Sequence, residues 1–159
     1  LQSLFNILKK MGCNLTILKN SVKILPCKKL KSSNIITGPY PGFPTDLQAQ
    51  LMALLSMAKG KSQIKETVFE NRFMHVPELN RLGAKIKLKK DVAYIEGGQK
   101  FKAAQVMASD LRASVSLVLA ALSAEGKTTI NRVYHLDRGY EKIEQGIGKL
   151  GLEIKRVKS

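Results

Sequence analysis

The sequence predicts an α+β fold assembled from α/β-type repeats. A helix-to-strand junction recurs around Gly12, Gly83 and Gly151, glycines 71 and 68 residues apart. Two leucine-rich helices recur at an offset of 64 residues. Short strands alternate with them, and no linker or low-complexity stretch divides the chain. Pseudo-repeats are expected near 1–37, 38–107 and 108–159.

The opening run, Leu1-Gln2-Ser3-Leu4-Phe5-Asn6-Ile7-Leu8-Lys9-Lys10, reads as a helix entered partway along, so a fragment of a longer protein is expected. Gly12 just past its end takes the left-handed backbone without a Cβ penalty and turns the chain into a strand at Leu15 and Ile17. Gly83 does the same before Ile86 and Leu88, and Gly151 before a last strand over 152–157. In each pair the apolar residues are expected on one face and the lysines on the other. Gly38-Pro39-Tyr40-Pro41-Gly42-Phe43-Pro44 is a stiff, irregular loop.

The paired helices follow. Thr45 and Gln48 stand at capping-box spacing, and Ser109 is an N-cap candidate for the second helix. Leu47, Leu51, Leu54, Leu55 and Ala58 form one apolar stripe, and Leu111, Val115, Val118, Leu119 and Leu122 its counterpart. Gly60 and Gly126 end these helices, with strands beginning at Ser62 and near 127–131. A short helix after His75, strands near 84–96 and 101–107, and a helix over 140–150 complete the series.

The chain has 159 residues, a net charge of +15, 44% hydrophobic and 25% charged residues. That apolar share excludes a wholly disordered chain, and no apolar run approaches the ~20 residues of a membrane-spanning helix. Cys13 and Cys27 form no disulfide framework and stand near no histidine, so they read as small apolar residues in a reducing compartment. No metal or cofactor is expected. Of the 27 basic residues 21 are lysines scattered over strands and turns, which favours solvated charge or a small-anion site over nucleic-acid binding.

Asp46 and Asp110 open the paired helices, and Arg72 and Arg138 stand 66 residues apart after their strands, with Arg112 beside Asp110. Acids there can simply complement the helix dipoles. Three arginines at strand-to-helix junctions can converge on a carboxylate or phosphate, or pair on the surface, Arg138 with Asp137 or Glu141. The residues alone leave both readings open.

Four segments carry a resemblance: Gly38 to Asp46, Glu66-Thr67-Val68-Phe69-Glu70-Asn71-Arg72-Phe73, Asp110-Leu111-Arg112-Ala113-Ser114, and Tyr134-His135-Leu136-Asp137-Arg138-Gly139-Tyr140-Glu141. Together, and in this order, they resemble the enolpyruvyl transferase family, on its sugar-nucleotide side (the UDP-N-acetylglucosamine 1-carboxyvinyltransferases) rather than its shikimate side. The resemblance implies an inside-out α/β barrel built of βαβαββ units, of which this is a C-terminal part, and a cytoplasmic enzyme of peptidoglycan synthesis. It implies phosphoenolpyruvate and UDP-N-acetylglucosamine as substrates. Asp46 matches the carboxylate at the sugar 3-hydroxyl, a candidate base, and the backbone of Val68 a sugar-nucleotide contact. Arg72 and Arg112 match the pair that grips the phosphoenolpyruvate carboxylate. Arg138 matches a catalytic arginine reaching the phosphate end on closure, and Asp110 a carboxylate of the same cleft. The lysine–asparagine pair and the proton-donating cysteine of that family match nothing here and are expected in an N-terminal part. The chain alone is then inactive. The alternative is a non-enzymatic truncated product or a basic anion-binding module.

Overall fold

The alternation of helices and strands is present in a computed structural model, which describes residues 1–27 and 29–157. Helix α1 (Gln2–Lys10) leads into a hairpin of β1 (Asn14–Ile17) and β2 (Val22–Leu25). Strand β3 (Ile35–Ile36) follows, then a 3-10 turn at Thr45–Leu47, α2 (Gln48–Met57) and β4 (Lys61–Lys65). Helix α3 (Val76–Arg81), β5 (Ile86–Lys89) and β6 (Val92–Glu96) come next. Strand β7 (Gln105–Met107), α4 (Leu111–Leu122) and β8 (Thr129–Asn131) precede α5 (Tyr134–Asp137) and α6 (Ile143–Gly148).

β3, α2, β4, α3, β5 and β6 make one βαβαββ unit. Its sheet has the order β3-β4-β6-β5, with β3 parallel to β4 and the other pairings antiparallel. α1, β1 and β2 repeat the unit's last three elements. β7, α4 and β8 repeat its first three, down to the parallel pairing of β7 with β8. The junction glycines behave as their spacing predicts: Gly12, Gly60, Gly83, Gly126 and Gly151 all have positive φ, between 84° and 113°.

Helices α2 and α4 pack against each other and carry the core. Residues 113–118 of α4 are all buried, and six consecutive helical residues cannot share one face at about 100° per residue. This helix is enclosed, not a surface helix with one stripe. In α2 the buried set likewise spreads around the axis and takes in Gln48 and Ser56. Met52, Leu55, Ile64, Leu79, Leu82, Ile95 and Leu117 meet in one cluster, with the sheet closing its outer side. Val115, Val118, Leu136 and Ile147 make a smaller cluster where α5 and α6 cover α4.

Several expectations are corrected. Leu119 is 42% exposed, because α2 on one side and α5 with α6 on another leave that position facing out. Only the first apolar residue of each junction strand is buried: Leu15 and Ile86 are covered, whereas Ile17 and Leu88 are exposed. The capping box does not form. Thr45 is spent on a different partner, and α2 starts from Leu47 with no side-chain cap. Ser109 is not the second cap either; Asp110, one residue on, accepts from the N–H groups of Arg112 and Ala113 at 2.8 and 3.1 Å. The helix expected over 140–150 shortens to α6, and α5 forms ahead of it. Residues 152–157 form no strand, since no ladder partner lies beside them among the described residues. They are anchored instead by Arg156, whose two Nη atoms donate to both oxygens of Asp137 at 2.8 and 2.6 Å.

The enclosed helices predict an asymmetric mutational response. Leu55→Ala should cost about 2–5 kcal/mol by denaturant unfolding, and Leu119→Ala less than about 1 kcal/mol. Equal losses at the two positions would contradict the burial described.

Candidate functional site

The turn before α2 and the first turn of α4 come together because the two helices pack side by side. Asp46 lies in the first and Arg112 in the second. One oxygen of Asp46, Oδ1, accepts from Nε of Arg112 and, at 3.1 Å, from Nη2 of Arg72. Arg72 reaches it from the loop after β4, with its guanidinium 4.6 Å above the Phe69 ring. Arg72 is mostly covered at 19% side-chain exposure, while Asp46 is open at 61%. An ion pair this exposed adds about 0–1 kcal/mol to stability, so its significance is positional. Two cations share one anion, and the cluster retains a net positive charge facing solvent.

Asp110 stands at the same place as the cap of α4, so its Oδ1 is occupied by backbone N–H groups. Val68 is half-exposed, with its N–H donated to Glu66 Oε1 at 2.9 Å. Arg138 ends α5 and is exposed. Among the described residues it forms no ion pair with Asp46 or Asp110, and the pairing with Asp137 or Glu141 does not occur, because Asp137 is taken by Arg156. That guanidinium holds the Asp137 carboxyl below the usual carboxylate range. Gly139, next to Arg138, packs against the start of α4, where a Cβ would sit 2.9 Å from Leu111 Cδ2. The structure thus brings Asp46, Arg72 and Arg112 into contact, keeps Asp110 and Val68 beside them, and leaves Arg138 outside the bonded cluster.

Sequence reasoning missed two buried groups beneath this surface. Glu66, only 4% exposed, follows β4. Its Oε1 accepts from Thr37 Oγ1 at 2.8 Å and from the N–H groups of Val68 and Phe69, and its Oε2 accepts from Thr45 Oγ1 at 2.8 Å. No signal in the sequence pointed to it, since Thr45 reads there as a helix cap. His75, 2% exposed, stands at the N-terminal boundary of α3 without a side-chain cap bond, and its Nε2 has no partner among the described residues. Burial pushes its pKa down to about 4, with Asp110 opposing the shift and Arg72 adding to it. It is a neutral imidazole below the arginines. Cys13 and Cys27 are free and lie at the α1 junction, where Cys27 Sγ donates to the Gly12 carbonyl at 3.1 Å. No group of three or more His, Cys, Asp or Glu side chains able to hold a metal occurs among the described residues.

The cluster lies on an open surface. Cavities of about 250 Å³ beside β7 and about 650 Å³ over the β5–β6 face include none of its residues.

A profile of the EPSP synthase (3-phosphoshikimate 1-carboxyvinyltransferase) family matches residues 1–147. The chain belongs to this family. It is 62% identical over 152 residues to the UDP-N-acetylglucosamine 1-carboxyvinyltransferase of Pelagibacter ubique, covering 96% of this chain and 36% of that protein. The protein of the same name from Methylobacterium radiotolerans is 54% identical over 160 residues, covering all of this chain and 37% of the relative. Among solved structures, the enolpyruvyl transferase NikO from Streptomyces tendae aligns with a TM-score of 0.91 and 32% identity, over 98% of this chain and 36% of that one. EPSP synthase from Acinetobacter baumannii, 20% identical with a TM-score of 0.58 over 81% of this chain and 31% of that one, shares the fold. The chain spans little more than a third of the length of the curated relatives it matches. The chain therefore shares the mixed helix-and-sheet fold of these enolpyruvyl transferases. No helix of the described residues is long and apolar enough to cross a membrane.

The buried imidazole gives a pH prediction. Folded His75 loses its proton near pH 4, against 6.5 for the free side chain. Between those values the unfolded chain binds more protons, so stability is complete above the upper value and falls as acid is added through the window. Between about pH 7 and pH 5 the chain should lose roughly 2 kcal/mol that His75→Phe keeps, read by urea unfolding at each pH. An unchanged pH dependence in His75→Phe would exclude the imidazole as the cause.

Proposed function

We propose that this chain is the C-terminal part of an enzyme that transfers the enolpyruvyl group of phosphoenolpyruvate to the 3-hydroxyl of UDP-N-acetylglucosamine, the first committed step of peptidoglycan synthesis. The observation that carries the reading is Asp46 shared by Arg72 and Arg112, one arginine from each of two successive units. Identities of 62% and 54% to proteins of that name support the sugar nucleotide over shikimate as acceptor.

The chemistry needs three things. The attacking hydroxyl must lose a proton, the phosphoenolpyruvate methylene must gain one, and cations must face the anionic substrate throughout. In this reading Asp46 accepts the hydroxyl proton as the oxygen bonds to C2 of phosphoenolpyruvate. Arg72 and Arg112 grip the substrate carboxylate with paired N–H donors, a geometry a planar guanidinium suits. Arg138, exposed at the end of α5, reaches the phosphate on closure. Asp110 lines the same cleft, and the backbone of Val68 meets the sugar nucleotide. Loss of phosphate and of one methyl proton then yields the enol ether. Before substrate arrives, Asp46 occupies the arginines as the substrate carboxylate later does, keeping them aligned at the surface.

A second wall over the exposed Asp46 and the methylene proton donor are assigned to the N-terminal part of the same enzyme. The hairpin supports this. Val22, Ile24 and Leu25 are exposed on β2, whereas its counterpart β6 buries Ala93 and Ile95 and pairs with β4. A strand equivalent to β4 beside β2 would complete that first unit. Cytoplasmic residence belongs to the same reading.

Two outcomes check it. The isolated chain, given both substrates, should release no phosphate above background; turnover would remove the need for a second part. In the complete enzyme, Arg112→Ala should weaken phosphoenolpyruvate capture roughly 10- to 150-fold while sparing sugar-nucleotide binding. Arg112→Lys should recover only part, since an ammonium cannot make the paired contact. Unchanged phosphoenolpyruvate dependence in Arg112→Ala would exclude this arginine from the site.

A further inference from the structure

We propose that Glu66 is a positioning residue for the Asp46–Arg72–Arg112 cluster, acting through the Thr45 hydroxyl. The cluster draws on two loops that nothing in the backbone ladders joins at their tips. One runs from β3 through the proline-rich segment to the turn at Thr45–Leu47, and the other follows β4 through Val68 and Phe69 to Arg72. Glu66 lies between them and its carboxylate is shared out. Oε2 takes the hydroxyl of Thr45, the residue next to Asp46. Oε1 takes the N–H groups of Val68 and Phe69, the latter carrying the ring beneath Arg72, and the hydroxyl of Thr37 at the end of β3.

A carboxylate this buried is tolerated only when its lone pairs are filled, and here four donors fill them. Swinging either loop would strip a donor from a buried anion. The arrangement therefore resists movement of Asp46 relative to Arg72 more than the exposed ion pair itself does. Thr67 joins the roots of the two loops, its N–H donating to Thr37 Oγ1 at 2.9 Å and its hydroxyl to the Thr37 carbonyl at 2.6 Å. Next to Asp46 the tie is Thr45, whose side chain makes no other hydrogen bond among the described residues.

Glu66→Ala would leave four stranded donors and risks losing the fold, so the test cuts the tie at Thr45. Thr45→Val keeps shape and leaves three donors on the carboxylate. Ile95→Ala, in the β6 core away from the cluster, serves as a control for destabilisation. Hydrogen exchange and chemical shift of the Arg112 Nε–H, read by NMR in this chain, report its bond to Asp46. Thr45→Val should speed that exchange about tenfold and move the shift toward a free guanidinium, as expected for loosening one charge-assisted bond. Ile95→Ala should leave both unchanged at equal or greater loss of Tm. Glu66→Gln, which can keep Oε1 on its three donors and turn its amide toward the Thr45 oxygen, should restore most of the bonded signal. The proposal is overturned if the Arg112 signal follows Tm across the variants, or ignores Thr45→Val.

A kinetic arm rests on the enolpyruvyl-transfer reading. In the complete enzyme Thr45→Val should lower kcat about tenfold with little change in KM for phosphoenolpyruvate, and Ile95→Ala should not. An unsubstituted complete enzyme without turnover would sink that reading alone, and the NMR arm would still decide the role of Glu66.

Discussion

The contact between α2 and α4 is the constraint on which the site depends. Both helices are enclosed, so neither can rotate or slide without opening the core around Leu55 and Leu117. Each belongs to a different unit. Their packing therefore converts a repeat in the sequence into a meeting of two helix starts, and Asp46 of one unit reaches Arg112 of the next. A single unit would hold Asp46 and Arg72, but not a cluster that draws an arginine from each of two units.

A second layer of control lies beneath this contact. Glu66 and His75 sit within a few residues of the cluster and are almost completely buried, yet they behave oppositely. The carboxylate keeps its place by collecting donors from both site loops. The imidazole, with no partner for Nε2, stays neutral because burial makes its charged form costly. Positive charge in the cluster thus comes from the guanidinium groups of Arg72 and Arg112 alone.

Much of the architecture was legible in the residues. The junction glycines announced left-handed turns, and the leucine pattern placed α2 and α4 correctly, because both signals are local. Asp46 and Arg72 drew notice because Asp110 and Arg138 stand at equivalent points of the repeat, and Arg112 because it lies beside Asp110; the residues alone left surface pairing open, and only the motifs around them suggested a shared site. What stayed hidden was choice among local options. Ser109 and Asp110 are both good caps, and the carboxylate prevailed by reaching two N–H groups. Thr45 looked like a cap and became a partner for a buried acid 21 residues away. Glu66 itself, charged and at a strand end, has nothing in its neighbours to separate it from a solvated residue. Residues 152–157 show the limit from the other direction: the alternating pattern is there, but a strand needs a ladder partner, which no local pattern supplies.

Under the proposed function Asp46 has two roles, resident counter-ion of Arg72 and Arg112 and proton acceptor for the attacking hydroxyl. Asp46→Asn in the complete enzyme separates them most directly. The amide keeps the shape, removes the charge that competes with substrate, and cannot accept the proton. The account predicts that kcat falls at least about 100-fold while phosphoenolpyruvate binds as tightly as before or tighter, measured by steady-state kinetics and equilibrium titration. Weakened phosphoenolpyruvate binding with kcat preserved would contradict it.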